Sequence, residues 1–430
     1  MRFFKTFQQD AETLKTGMRN ISGQALCKNL TLMVCLAAMT GCAERPFITE
    51  TPQMEAEEQL VIRVLLLDNI KSCSLTINRP FTVSDSQTQT QLVRFERLSS
   101  PSSVTIVAGG FVIGGKTIAA DRITITPDNP FAFTLNGDDF RGELTLVSNF
   151  PRTSFDAINA LPVEPYLSGV IGAEMPDYWE PAALRAQAIA ARTYCLYIKK
   201  RFGVTRNWDV NRTVASQVYR GIKAESVQVW QAVNGTAGQV LVNGVNEEIF
   251  PAYYSSACGG HTEDSINVFG DAFRPLSGVA CPYCVDIAKT DRFFWTKTQV
   301  DKNEASEKLL KKYPKLQSLG KIISILPSDQ SNYGNFSRVT TVRLIGSTGN
   351  SDSIRAEDLR LTLDPTGRNI KSMICKIENA GVNWAFTDGR GYGHGVGLCQ
   401  CGTQGMARLG STTAEILSYY YPGSKIKRIY

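Results

Sequence analysis

From Leu60 the chain alternates short apolar runs with turn residues. "LVIRVLLL", "SCSLTI", "SVTIVAG", "KTIAADRITITP", "FAFTL" and "RGELTLVS" are rich in Val, Ile, Thr and Phe, and Asp-Asn, Arg-Pro, Gly-Gly and Pro-Asp-Asn-Pro separate them. β-Branched and aromatic runs with such punctuation predict strands, so residues 59–150 are expected to form a β-rich domain. The pattern then changes. "INALPVEPYLSGVIGAEMPDYWEPAALRAQAIAARTYCLYIKKRFG" carries Pro181 where a helix would start, Lys199, Lys200 and Arg201 where it would end, and Gly203 just beyond. Between Ala182 and Ala191 only Arg185 and Gln187 are polar. A helix apolar on nearly every side belongs at the centre of a core.

The expected fold class is therefore α+β: a β-rich N-terminal domain, then a mixed α/β core over 151–430 built around one buried alanine-rich helix. Residues 286–380 are more polar and lysine-rich, with strand patterns such as "RVTTVRLIG", and read as a polar insertion within that core. Near the C-terminus, "GRGYGHGVGLCQCG" places glycine at every second position from Gly389 to Gly397. Alternation of this kind predicts an extended strand with one bare face. Tyr392 and His394 would then face a site, with Gln400 following as a further polar contact.

The N-terminus changes the picture again. Lys28 precedes the apolar run Leu30–Met39, which ends in Thr40 and Gly41 before Cys42. About ten apolar residues suit a signal segment and are too few to span a bilayer. "MTGC" resembles a bacterial lipoprotein signal, so residues 1–41 are expected to be removed, with Met1 or Met18 as the start, and Cys42 to carry lipid. Residues 42–58 read as a polar tether. The protein would be exported to the cell envelope and anchored to the membrane. Composition is that of a globular protein, 43% apolar and 20% charged with a formal charge of +6. No basic block points to nucleic acid.

Glu174 is the candidate catalytic residue. Val170, Ile171, Ala173 and Met175 surround it in sequence, and apolar surroundings raise a carboxyl pKa toward that of a general acid. Pro176 biases Met175 to an extended conformation, which places Glu174 on a strand end or turn before the buried helix. The N-terminus of that helix would favour the ionised form instead.

"YLSGVIGAEMP", "ALRAQAIAARTY", "SQVYRG", "YYSSACGGHTE", "GHGVGLCQCGTQGMA" and "EILSYYYPG" occur in this order. Over about residues 161–430 the chain resembles the stage II sporulation protein D family, whose best-known members are lytic transglycosylases that cut peptidoglycan glycan strands lacking stem peptides. The resemblance implies that Glu174 protonates the glycosidic oxygen while the sugar's own C6 hydroxyl attacks the anomeric carbon. Arg185, Gln187, Gln217, Tyr219, Tyr254, Ser256, Tyr392, His394 and Gln400 would line the groove, since aromatic and amide groups suit sugar rings and N-acetyl groups. Related amidase enhancers share much of the core. A non-catalytic glycan-binding module that enhances a cell-wall amidase is therefore the alternative.

Cys258-x-x-His261 and Cys281-x-x-Cys284, nineteen residues apart, have the spacing of a structural zinc site. Cys399 is an alternative ligand to His261. Disulfides among these cysteines also suit an exported chain. The zinc site that some family members hold just upstream of "QVYRG" has no counterpart here, because "WDVNRTVASQVYRG" contains no Cys or His. Nothing points to an organic cofactor.

Overall fold

The computed structural model describes residues 60–129 and 131–430. The signal segment 1–41, Cys42 and the tether to residue 58 lie outside them. The twelve strands that precede the first described helix are β1 (Val61–Ile70), β2 (Ser72–Ile77), β3 (Phe81–Asp85), β4 (Gln91–Phe95), β5 (Leu98–Val107), β6 (Gly110–Ile113), β7 (Lys116–Ile118), β8 (Arg122–Pro127), β9 (Ala132–Leu135), β10 (Asp138–Arg141), β11 (Glu143–Asn149) and β12 (Ser154–Pro162). Period-2 burial drives them: in β8, Ile123, Ile125 and Pro127 are buried while Arg122, Thr124 and Thr126 are half-buried. They form a six-stranded sheet, β10-β9-β2-β5-β6-β7, and most of a seven-stranded one, β1-β12-β11-β8-β3-β4. Phe111 of the smaller sheet meets Phe155 of the larger edge-on, with ring centroids 5.6 Å apart.

The sheet does not stop at residue 150. β12 lies beyond it, pairs with β1 and β11, and leads directly into α1 (Val163–Glu174). After α2 (Pro181–Phe202), β13 (Val210–Asn211) joins the seven-stranded sheet parallel to β1. The boundary expected at 150 thus runs through a hydrogen-bonded sheet.

α2 is the buried alanine-rich helix. Pro181 occupies its first turn and Gly203 N–H closes it on the Lys199 carbonyl at 2.8 Å. Its one fully buried cation, Arg192, is paired with Glu164 of α1 at 2.5 Å and also donates to the carbonyl of Gln239. A charge taken out of water is tolerated only with such partners. α3 (Val227–Asn234) and β14 (Gln239–Asn243) follow, then β15 (Tyr254–Ser255).

The polar stretch 286–380 proves to be most of a folded module that extends to Arg390. Trp295, Leu309, Leu316, Val342, Leu359 and Phe386 belong to a hydrophobic core of its own. The chain enters through β16 (Phe294–Trp295) and continues through β17 (Thr298–Asp301), α4 (Lys302–Lys312), β18 (Ile322–Asn332), β19 (Ser337–Gly346), β20 (Ser351–Arg355), α5 (Ala356–Leu363), β21 (Lys376–Ala380) and β22 (Asn383–Thr387). It leaves through β23 (Gly389–Arg390), which pairs with β16. β24 (Leu398–Cys399) then pairs parallel with β15, and α6 (Gln400–Arg408), α7 (Thr413–Tyr420) and β25 (Ser424–Arg428) complete the chain. No helix among the described residues is long and apolar enough to cross a membrane.

The glycine stretch is not the continuous strand its alternation predicts. Only its two ends are strand, and Gly391, Gly393, Gly395 and Gly397 have φ of 82°, 108°, 78° and 70°. A left-handed residue at every second position breaks the pleat. Neighbouring backbone also presses on the loop: a Cβ on Gly397 would lie 2.1 Å from the Tyr253 carbonyl oxygen.

Candidate functional site

Glu174 is the last residue of α1, not a strand end or turn. Met175 after it is extended, with φ −128° and ψ 148°, as a residue before proline prefers. Two glycines of α1 let the "SQVYRG" segment approach. A Cβ on Gly169 would meet the Tyr219 ring at 2.4 Å, and one on Gly172 would meet the Ala224 carbonyl oxygen at 1.9 Å. Val218 N–H thereby reaches Glu174 Oε1 at 2.9 Å. From the other side, Gln400 at the start of α6 donates its Nε2 to Glu174 Oε2 at 3.3 Å. Burial pushes the Glu174 carboxyl above its ordinary range, while the Val218 N–H, the Gln400 amide and the charge of Arg220 draw it partly back.

Gln217 braces this arrangement. It accepts from the Tyr166 hydroxyl at 2.9 Å and donates to the Tyr254 hydroxyl at 2.9 Å and the Ala191 carbonyl at 3.2 Å. Burial, with the Glu174 charge next in effect, raises the Tyr254 phenol well above its usual value. Glu174, Gln217, Tyr254 and Gln400 are therefore brought together. The Val218 N–H and Arg220 were not apparent from sequence.

The other candidates have surroundings of their own, and Ser256 stays close to Gln400. Tyr219 is buried and its hydroxyl donates to Asn159 Oδ1 at 2.9 Å. Gln187 is fully buried, with neither amide atom hydrogen-bonded. Arg185 is exposed on α2, near Gly235 at the end of α3. The Ser256 carbonyl accepts Cys401 N–H at 3.0 Å. Tyr392 pairs through its backbone with Ala257, and the Arg292 guanidinium lies 6.0 Å from its ring centroid. His394 does not share a face with it, because the intervening Gly393 breaks the alternation. The imidazole packs against Phe269 and Tyr253, and its Nδ1 accepts Val396 N–H at 3.0 Å. Burial lowers its pKa to about 4; Glu357 and a hydrogen bond with the Tyr254 backbone oppose that shift, and Arg360 and Arg338 add to it. These charges come from the inserted module, so His394 belongs to the seam with that module.

A second cluster lies beside the first. Cys258, Cys281, Cys284 and Cys399 are buried, with all four Sγ atoms within 4.8 Å of one another. Cys258 and Cys284 are 3.7 Å apart, and every described cysteine is a free thiol. Burial pushes the Cys258 and Cys399 thiols up, whereas hydrogen bonds from Cys258, Cys281 and Cys399 hold Cys284 well down. His261 is not in this group. Gly259 and Gly260, with φ of 84° and 116°, redirect the chain after Cys258. The His261 ring stacks on Tyr333 at 4.0 Å, with Nδ1 2.6 Å from the Thr262 carbonyl. Cys399 takes the fourth place.

A family model described as Stage II sporulation protein matches residues 151–243, the stretch from β12 through α1 and α2 to β14. The chain is 30% identical over 368 residues to an uncharacterised protein of Brachyspira hyodysenteriae, covering 86% of this chain and 93% of that protein. It is 30% identical over 290 residues to stage II sporulation protein D of Bacillus subtilis, covering 64% of this chain and 77% of the relative. It is also 30% identical over 294 residues to the amidase enhancer of Bacillus subtilis, covering 60% of this chain and 40% of the enhancer.

Proposed function

The chain belongs to the stage II sporulation protein D family, and from that premise we propose that it acts on the cell wall as a lytic transglycosylase with Glu174 as general acid. Its substrate is the glycan strand of peptidoglycan from which stem peptides have been removed. Glu174 gives its proton to the glycosidic oxygen as the bond from the muramic acid C1 breaks. The C6 hydroxyl of the same sugar attacks C1, and its proton returns to the Glu174 carboxylate. The product is a 1,6-anhydro end. No water enters, so the second carboxylate that activates water in an inverting hydrolase is not required.

The observation that carries this reading is the balance at Glu174. Burial keeps a proton on the carboxyl to higher pH, while Val218 N–H and the Gln400 amide are already placed to receive the carboxylate once the proton has gone. Tyr254, whose hydroxyl accepts from Gln217, offers an aromatic group beside Glu174 for a sugar face. The test is to incubate the purified full chain with peptide-free glycan strands and, separately, with intact sacculi, and to look for anhydro-muramyl ends by mass spectrometry. Such ends from stripped glycan are the expected result. Glycan that binds but stays uncut would favour the second reading, a glycan-binding enhancer of an amidase, which the likeness to the amidase enhancer motivates. Added to a purified amidase, the chain would then accelerate stem-peptide release.

Gln400→Ala removes one donor that stabilises the Glu174 carboxylate. Turnover is expected to fall about 10-fold, the worth of one hydrogen bond to a charged group, and the loss of activity at high pH should move to higher pH still. An unmoved pH limb would take Gln400 out of this role.

Export and a lipid anchor on Cys42 are part of the same proposal. The chain should fractionate with membranes and incorporate labelled fatty acid. Cys42→Ser should abolish the label, and retention of it would refute the anchor.

A further inference from the structure

We propose that Cys258, Cys281, Cys284 and Cys399 bind one zinc ion in a closed tetrathiolate site. The inference stands on the cysteine geometry and is independent of the transglycosylase reading. Zinc–sulfur bonds of ~2.3 Å in a tetrahedron set sulfur–sulfur edges of about 3.8 Å, and Cys258 and Cys284 are 3.7 Å apart. A disulfide needs about 2.05 Å. The remaining sulfurs lie within 4.8 Å of each other, so small side-chain movements complete the tetrahedron. Each thiol yields its proton to solvent as it binds, leaving a zinc–thiolate centre of net charge −2.

The surroundings suit such a centre. Cys399 Sγ receives Cys258 N–H at 3.2 Å and Gly402 N–H at 3.4 Å. The Tyr420 hydroxyl lies 3.1 Å from Cys281 Sγ. Arg390, anchored on the Gly259 carbonyl, brings positive charge within reach of Cys258 and Cys284. Such contacts orient ligands and offset their charge. Four thiolates leave no open position, so this metal is structural.

Position gives the site its consequence. Cys258 follows β15, Cys281 and Cys284 lie in the loop ahead of the inserted module, and Cys399 ends β24. The next residue is Gln400, which touches Glu174. One ion would tie three remote segments together and fix the start of α6.

The test uses the full chain purified without chelators. Elemental analysis should find one zinc per chain, released only as the four thiols react with a mercurial reagent. Cobalt substituted for zinc should show the intense absorption of a tetrahedral thiolate complex. In competition with a chelator, Cys399→Ser should weaken binding at least about 100-fold, while His261→Ala should leave it unchanged. Two disulfides with no metal, iron in place of zinc, or zinc that survives Cys399→Ser but is lost with His261→Ala would each overturn the proposal. Should Cys399→Ser fail to fold, the cobalt spectrum of the wild-type chain decides: thiolate bands support the site and their absence refutes it.

Discussion

If Glu174 is the general acid proposed above, Glu174→Gln is expected to yield a folded protein that forms anhydro ends 100 to 10 000 times more slowly, on the order of what a positioned general acid contributes, and that melts higher than the parent at neutral pH. Both effects follow from one cause. Burial raises the Glu174 pKa in the folded chain above its unfolded value. A carboxyl shifted upward contributes stability that is fully present below the unfolded pKa, about 4.3, and is lost as pH rises through the folded pKa. Above the ordinary carboxylate range the parent's folded state therefore carries a cost, either of burying the charge or of keeping the proton, which the neutral amide avoids. The melting advantage of the variant should close as pH falls below the ordinary carboxylate range. The parent's turnover should decline as pH rises through the same folded pKa, where its acid form disappears. A variant that loses activity but melts lower at every pH would mean that Glu174 holds the fold together rather than the proton.

The second large effect concerns the glycine loop. Gly397→Ala forces a left-handed φ of 70° on a side chain and sets a Cβ 2.1 Å from the Tyr253 carbonyl oxygen. That oxygen cannot retreat freely, because it accepts Leu398 N–H at 3.0 Å and the Tyr421 hydroxyl at 2.8 Å. We expect a loss above about 4 kcal/mol, in the range reserved for broken cores and strained backbone. Gly410→Ala is the comparison. Its φ is 90°, but nothing lies within 4 Å of a Cβ there, so only the left-handed penalty of about 1–2 kcal/mol applies. Denaturant unfolding of the pair separates strain from collision. Equal midpoints for the two variants would show that the loop yields to the new methyl group.

That loop also marks where sequence reasoning stops. The helix from Pro181 to Phe202 was legible because its signals are local: a proline at the start, basic residues and Gly203 at the end, and alanine between. The β-rich region was legible for the same reason, since period-2 burial is written into each strand. Alternating glycines look like a strand by that rule. What leaves no room for a side chain there is Tyr253, Ser255 and Ala257, more than a hundred residues away, and Arg338 of the inserted module, none of them visible in the local pattern. The inserted module hid its core because Leu309, Leu316 and Leu359 are scattered among lysines and acids. The cysteine set was three-quarters visible in its spacing. Two glycines turn the chain and His261 stacks on Tyr333, away from the four sulfurs that include Cys399.

The neck formed by β16 and β23 makes the module a guest whose entry and exit lie side by side: Gly391 N–H meets the Phe293 carbonyl at 2.8 Å. Splicing out everything between would leave the host chain almost continuous in space. Chemistry forbids so simple an excision. Glu263 of the host is 2% exposed, and the hydroxyls of Ser331 and Tyr333 in the guest donate to its carboxylate at 3.0 and 2.6 Å. Arg338 of the guest, equally buried, donates to the Cys258 carbonyl of the host at 2.9 Å. Without the guest, the Glu263 carboxylate would lose Ser331, Tyr333 and the nearby Arg338 guanidinium, open to water, and keep only the host's Asn267 amide and Asp264 N–H.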